Sequence, residues 1–174
     1  YQDNDSDLYG NTTVSLSQCD QPTGYVLDNT DCSDTDADRN PGHAEICDAK
    51  DNDCDDLVDD ADASLNTATA ATWYADVDED EFGDASSTTL ACSTPANYVS
   101  NDSDCDDANA LLNPDTIWWR DVGNDGYGTT DSTTASCTRP AGYVSNSSDC
   151  DDGNAAINPE TYWYADTDGD TFGN

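Results

Sequence analysis

The stretch YADVDEDEFGD, residues 74–84, decides how the rest of the chain is read. Its Asp76, Asp78 and Asp80 stand at positions 1, 3 and 5 of a loop, with a backbone carbonyl at position 7. That spacing wraps one side of a calcium ion, which takes six to eight oxygens at ~2.3–2.6 Å and tolerates irregular geometry. The stretch recurs without gaps as YQDNDSDLYGN (1–11), WRDVGNDGYGT (119–129) and YADTDGDTFGN (164–174). The matching ligands are Asp3, Asp5 and Asp7, then Asp121 and Asp125, then Asp166, Asp168 and Asp170. Gly123 stands where the third copy's middle carboxylate belongs, which predicts a weaker or wetter site there.

Working outward, each of the first three loops is followed by a second recurring block. These blocks are CDQPTGYVLDNTDCSDTDADRNP (19–41), CSTPANYVSNDSDCDDANALLNP (92–114) and CTRPAGYVSNSSDCDDGNAAINP (137–159). Trp119 lies 45 residues after Tyr74, and Tyr164 lies 45 after Trp119, whereas Tyr74 lies 73 after Tyr1. The first repeat therefore carries an insert of 28 residues. Self-similarity at this period is the mark of a repeat protein whose units lean on their neighbours. The expected organisation is repeat 1 at 1–73 with its insert at about 42–70, repeat 2 at 74–118, repeat 3 at 119–163, and the start of a fourth at 164–174. The expected fold class is mainly β and irregular: tandem repeats of short strands and calcium-binding loops, stapled by disulfides, with little helix. Aromatic segments at 73–74, 117–119 and 162–164 read as one strand per repeat, and the Tyr-Val pairs at 25–26, 98–99 and 143–144 as a second. Residues 107–112 and 152–157 read as single helical turns, with Asp as cap and Asn-Pro as stop.

The loops are not EF-hands, because position 12 is Val14, Ser87 or Ser132 rather than an acid. Their shells must be closed from elsewhere, and the acids flanking the cysteines are the candidates. These are Asp31, Asp34 and Asp36; Asp104, Asp106, Asp107 and Asn109; and Asp149, Asp151, Asp152 and Asn154, with Glu160 further on. They also read as a second calcium site in each repeat. The insert offers the best EF-hand-like register: Asp51, Asp53, Asp55, Asp59 and Asp62 at positions 1, 3, 5, 9 and 12, with Asp56 where a glycine is usual.

Composition supports metal. The 174 residues carry 39 acids against 4 basic residues, a formal charge of −35, with 34% hydrophobic residues and no methionine. Repulsion on that scale opposes compaction unless cations offset it. There is no basic patch for nucleic acid or anionic lipid, and no apolar run long enough to span a membrane. The chain shows neither a starting Met nor a signal peptide, so a mature or excised segment is expected. An even count of 8 cysteines at regular spacing reads as an extracellular disulfide framework, in which 105 connectivities are open. Local closure is the economical choice: Cys19–Cys32, Cys47–Cys54, Cys92–Cys105 and Cys137–Cys150. Sequons at Asn4, Asn11, Asn101 and Asn146 are possible glycosylation sites. The single histidine, His43, reads as a loop residue, and nothing assembles a catalytic set.

The stretch DCSDTDADRNPGHAEICDAKDNDCDDLVDD, residues 31–60, resembles the MopE-like metal-binding repeat family. The resemblance lies in the Asp-Cys-x-Asp start, the Asn-Pro, the Glu-Ile-Cys-Asp and the Asp-Asn-Asp-Cys-Asp; the later repeats look like shortened versions ending at Asn-Pro. The DxDxD loops are also similar in style to thrombospondin type 3 calcium repeats. The resemblance implies extracellular, non-catalytic, metal-binding modules, some of them associated with copper.

The expected function is an extracellular calcium-binding structural protein, non-enzymatic, holding several calcium ions. It would be a segment of a surface stalk or of a fibre built by head-to-tail self-association, with neither nucleic acid nor membrane as partner. The alternatives are a spacer or glycan-binding module of a larger secreted enzyme or adhesin, and a copper-binding surface protein.

Overall fold

Threonine and aromatic residues, both good strand formers, build what regular structure there is. The computed structural model describes residues 1–173. Among the described residues there are six strands: β1 (Ala71–Ala75), β2 (Asp84–Ala91), β3 (Tyr98–Val99), β4 (Ile117–Arg120), β5 (Thr129–Ala135) and β6 (Tyr143–Val144). They form two three-stranded sheets with the same order, β2-β1-β3 and β5-β4-β6. In the second, β4 runs antiparallel to both neighbours: Trp118 faces Thr134, and Trp119 faces Thr133 on one side and Val144 on the other. The only helical pieces among the described residues are two 3-10 turns, Asp59–Ala61 and Thr67–Thr69. The fold is thus mostly strand and irregular structure with almost no helix, as the sequence indicates.

Several details differ from the expectation. The Ser/Thr-rich β2 and β5 are the longest strands, yet they lack the apolar alternation that marks a strand in sequence. Residues 107–112 and 152–157 form no helix. They close successive turns instead, Asn109 N–H to the Asp106 carbonyl and Leu112 N–H to the Asn109 carbonyl, with the same pair at Asn154 and Ile157. In the first repeat Tyr25 makes only an isolated bridge to Gln2, and residues 162–164 join no strand.

The chain divides into two compact units, Tyr1–Tyr74 with Thr88–Ser100, and Ala75–Ser87 with Asn101–Asn174. The first contains the bridges Cys32–Cys54 and Cys47–Cys92, and the second contains Cys105–Cys137; Cys19 and Cys150 are free and exposed. All four locally paired disulfides expected from the sequence are thereby overturned. The two cysteines of one block do not meet. Cys92 follows the end of β2 and is held by its N–H on Asp60, whereas Cys105 follows Asp104, whose N–H binds the Gly83 carbonyl. The second cysteine of one repeat instead reaches the first cysteine of the next, as in Cys105–Cys137. The insert acts as a relay, receiving Cys32 at Cys54 and passing on through Cys47 to Cys92. Bridges of sequence separation 22, 45 and 32 should each contribute about 3–4 kcal/mol in the chain-entropy account.

The interior is polar. The buried hydrophobic residues are Ala75, Ala91 and Val144, whereas Asp31, Asn40, Glu45, Asn52, Asp62 and Asp76 are buried as well, Glu45 and Asn52 completely. A chain this poor in apolar residues closes around its acids.

Candidate metal centres

Every DxDxD loop folds by the same device: its first aspartate caps the turn that follows. Asp76 accepts the N–H groups of Asp80 and Glu81, and Asp80 that of Phe82. The same bonds recur from Asp121 to Asp125 and Gly126, from Asp166 to Asp170 and Thr171, and, within the insert, from Asp51 to Asp55 and Asp56. In the first loop Asp3 accepts Ser6 and Leu8. Positions 4 and 6 of all five loops take left-handed backbone: Ser6 and Leu8, Cys54 and Asp56, Glu79 and Glu81, Asn124 and Gly126, Gly169 and Thr171. The insert loop is therefore a fifth copy of the same structure.

This turn gathers carboxylates. Asp3, Asp5 and Asp7 converge, as do Asp76, Asp78 and Asp80, and Asp166, Asp168 and Asp170. In the insert, Asp53 is shared by two groupings, one with Glu45 and Asp51, the other with Asp55 and Asp62. Asp59, read as a ligand in the sequence, instead spends Oδ1 on the N–H groups of Asp48 and Ala49. Glu45 is the residue the insert's register missed. Fully buried, it accepts the N–H of Asn52 and of Asp59 while lying within the first grouping. The Glu-Ile-Cys motif was its only signal.

The remaining carboxylate oxygens set the chemistry. Both oxygens of Asp5 and of Asp78 are buried without a hydrogen-bond partner, and so is one oxygen each of Asp7, Asp31, Asp53, Asp62, Asp104 and Asp149. Buried anionic oxygens without donors are costly. Burial, then the charges of Asp7 and Asp31, push Asp5 above the ordinary carboxylate range. Burial is also the first cause raising Asp31, and burial with the charges of Asp80 and Asp104 raises Asp78. The acid ahead of each block's second cysteine thus turns toward its own loop, Asp31 to the first and Asp104 to the second. Asp149 ends in the same way, its N–H on the Gly128 carbonyl. This is the closure from elsewhere that the missing position-12 acid requires. Oxygen-only pockets with orphaned anionic atoms fit a hard divalent cation.

Other candidates hold the loops rather than face inward. Asp34, Asp107 and Asp152 accept the N–H at position 2 of their loops, from Asn4, Val77 and Val122, each at 2.9 Å. Asn113 and Asn158 donate to Asp80 and Asp125 at 2.8 and 3.1 Å, so the Asn-Pro pair ties the end of each block to its loop. Asp36 pairs with Lys50 at 2.9 Å, Asp151 accepts Gly153 N–H, Asn109 and Asn154 cap Leu111 and Ala156, and Glu160 bonds the Tyr127 hydroxyl. Asp106 offers its carbonyl to Asn109. Among the described residues the acids after the second cysteine gather into no second cluster of three. The sequon amides are engaged too: Asn4 on Asp34, Asn11 on Asp34, Asn101 on the Glu81 carbonyl and Asn146 on the Gly126 carbonyl.

A family model described as "Putative metal-binding motif", of the copper-binding MopE type, matches residues 31–66, 104–117 and 149–162. These three segments are similar to MopE-type repeats. The first MopE-like segment spans the whole insert cluster with Asp31. The two shorter ones begin at the closing acids Asp104 and Asp149 and run through the Asn-Pro ties. No curated protein and no solved structure matches the chain. The metal-binding motif and the disulfides together point to an extracellular metal-binding module.

Proposed function

We propose that the protein is an extracellular, non-enzymatic calcium-binding repeat, a segment of a surface stalk or of a self-assembling fibre whose fold depends on its ions. The observation that carries this reading is the set of orphaned, buried carboxylate oxygens on Asp5, Asp31, Asp78 and Asp104 within a chain of charge −35. A bound cation supplies the counter-charge that the fold otherwise lacks, and its binding energy is then folding energy.

Calcium is favoured over copper by the donor set. The clusters offer carboxylate oxygens alone. His43, the single imidazole, sits outside them, 3.6 Å from Asp38 and 3.0 Å from the Ala44 carbonyl, and six of the eight cysteines are in disulfides. Hard oxygen sites select calcium or magnesium, and irregular multi-carboxylate cages suit the larger ion.

Elemental analysis of purified protein, followed by chelation and circular dichroism, tests both parts. Several calcium ions per chain are expected, with loss of near-UV signal on chelation and recovery on adding calcium. Copper at stoichiometric levels, or an unchanged spectrum after chelation, would overturn the reading.

A further inference from the structure

The insert loop departs from the other DxDxD loops in how its acids gather. In three of those loops the aspartates at positions 1, 3 and 5 form one group: Asp3, Asp5 and Asp7; Asp76, Asp78 and Asp80; Asp166, Asp168 and Asp170. In the insert the same positions are divided. Asp51 and Asp53 gather with Glu45, whereas Asp55 gathers with Asp53 and Asp62, so that Asp53 alone belongs to both groups. Within each group the candidate ligand oxygens lie within 4.8 Å of one another, a spacing that oxygens sharing one calcium at ~2.3–2.6 Å satisfy.

Burial sets this cluster apart from a solvated acidic face. Asp62 is 7% exposed; its Oδ1 accepts the Ser64 N–H, and its Oδ2 is buried with no hydrogen-bond partner. Asp53 is divided in the same way. Its Oδ2 accepts the Ser64 hydroxyl at 3.0 Å, and its Oδ1 is buried without a donor. Glu45 is fully buried, and its two oxygens take one backbone N–H each, from Asn52 and Asp59, both at 2.8 Å. Neutral N–H donors orient a carboxylate but do not cancel its charge. Basic side chains do not cancel it either. Arg39 donates to the Asp51 carbonyl, Lys50 pairs with Asp36 and Asp48, and among the described residues no ion pair reaches any of the five acids.

Charge decides how many cations the cluster takes. The five carboxylates carry −5 when ionised, so one divalent ion leaves −3 and two leave −1. Uncompensated charge away from water is the costlier state. Coordination agrees, because five carboxylates with two oxygens each offer more than the six to eight oxygens that one calcium takes. We propose that the insert holds two calcium ions that share Asp53. Glu45, Asp51 and Asp53 hold the first, and Asp53, Asp55 and Asp62 hold the second. The shared carboxylate lies between the ions and offsets their repulsion. Glu45 stands ahead of the loop in sequence and Asp62 behind it, so the pair of ions ties the insert closed across residues 45–62.

This proposal deepens the calcium reading and rests on it, so total calcium is counted along with the insert's share. Equilibrium dialysis of the full chain against radioactive calcium at saturating concentration gives the count for each variant. Asp53→Ala should lose two ions, whereas Glu45→Gln and Asp62→Ala should each lose one. Manganese, which also suits carboxylate sites, supplies a measurement on the unmutated chain. Two manganese ions sharing a carboxylate give an exchange-coupled electron paramagnetic resonance spectrum, and Asp53→Ala should abolish that component. If Glu45→Gln or Asp62→Ala also loses two ions because the insert opens, the manganese spectrum of the unmutated chain decides. Loss of only one ion in Asp53→Ala, or a manganese-loaded chain with no coupled component, overturns the shared centre and leaves the calcium reading standing. An unmutated chain that takes up no calcium overturns both.

Discussion

Asp78 illustrates what single residues do here. Both its oxygens are buried and unpartnered, and its neighbours Asp80 and Asp104 raise its pKa further. Asp78→Asn should remove one calcium from the loaded chain and leave the other sites filled, as read by elemental analysis. The raised carboxyls of Asp5, Asp31 and Asp78 also set a pH dependence. Between the ordinary value of 3.8 and their raised values the native chain binds more protons than the unfolded one. Stability of the metal-free protein therefore falls as pH rises through that window. The lowered carboxyls of Asp28, Asp36, Asp60, Asp84 and Asp166 act below 3.8, with the opposite sign. Protons compete with the ion for these oxygens, so calcium-loaded protein should melt at a progressively lower temperature as pH falls toward 3.8. Differential scanning calorimetry of the calcium-loaded protein at a series of pH values checks this. Position 6 of the loops gives a third handle. Glu81 holds φ 75° where the third loop has Gly126. Glu81→Gly should raise stability by about 1 kcal/mol, since only glycine adopts that region without a steric cost.

At the scale of elements, the sheets are pinned at their ends more than packed through their faces. A Cβ on Gly128 would meet the Asn146 carbonyl, Trp119 and Val144 at 2.8–2.9 Å, and one on Gly10 meets the matching trio at 2.7–2.9 Å. Gly128→Ala should therefore cost about 1–3 kcal/mol by overpacking, seen as a lower denaturation midpoint at unchanged slope. The indole bond of Trp118 ties β4 to the end of β5. Trp118→Phe keeps most of the ring and should lose only about 1 kcal/mol for that bond. The strands themselves were half legible. Aromatic β4 and the Tyr-Val pairs announce themselves, whereas β2 and β5 are Ser/Thr-rich, and their strand character comes from the neighbour they pair with. The helical turns expected at 107–112 and 152–157 failed for a related reason: Asn109 and Asn154 cap the N–H two residues on and break the segment into turns.

At the scale of the molecule, the buried set among the described residues contains twice as many polar as hydrophobic residues, six against three. A polar interior of that kind is stable only when its charges are compensated, so raised salt should not substitute for calcium. Monovalent ions screen across a Debye length of about 10 Å at 0.1 M but cannot enter a cage of converging oxygens. Metal-free protein in high sodium chloride should remain unfolded by near-UV circular dichroism; refolding there would indicate that surface repulsion alone is being relieved.

The sequence by itself determined the loops, because ligand spacing is local: Asp76, Asp78 and Asp80 lie within one turn and need no distant partner to be recognised. It also determined the recurrence of the cysteine blocks and the place of Asn-Pro. Tertiary structure decided which cysteine meets which. Two cysteines at fixed spacing can close within a block or reach into its neighbour with the same pattern, and only the fold brings Cys47 to Cys92 and Cys137 to Cys105. It likewise decided that Asp31 and Asp104 turn inward while Asp34 and Asp107 clamp the loop. Acids a few residues apart look alike in sequence, and what distinguishes them is whose backbone N–H they accept: Asp34 and Asp107 take one from the loop, whereas Asp31 and Asp104 take only those of the residues that follow them and leave one oxygen buried without a partner.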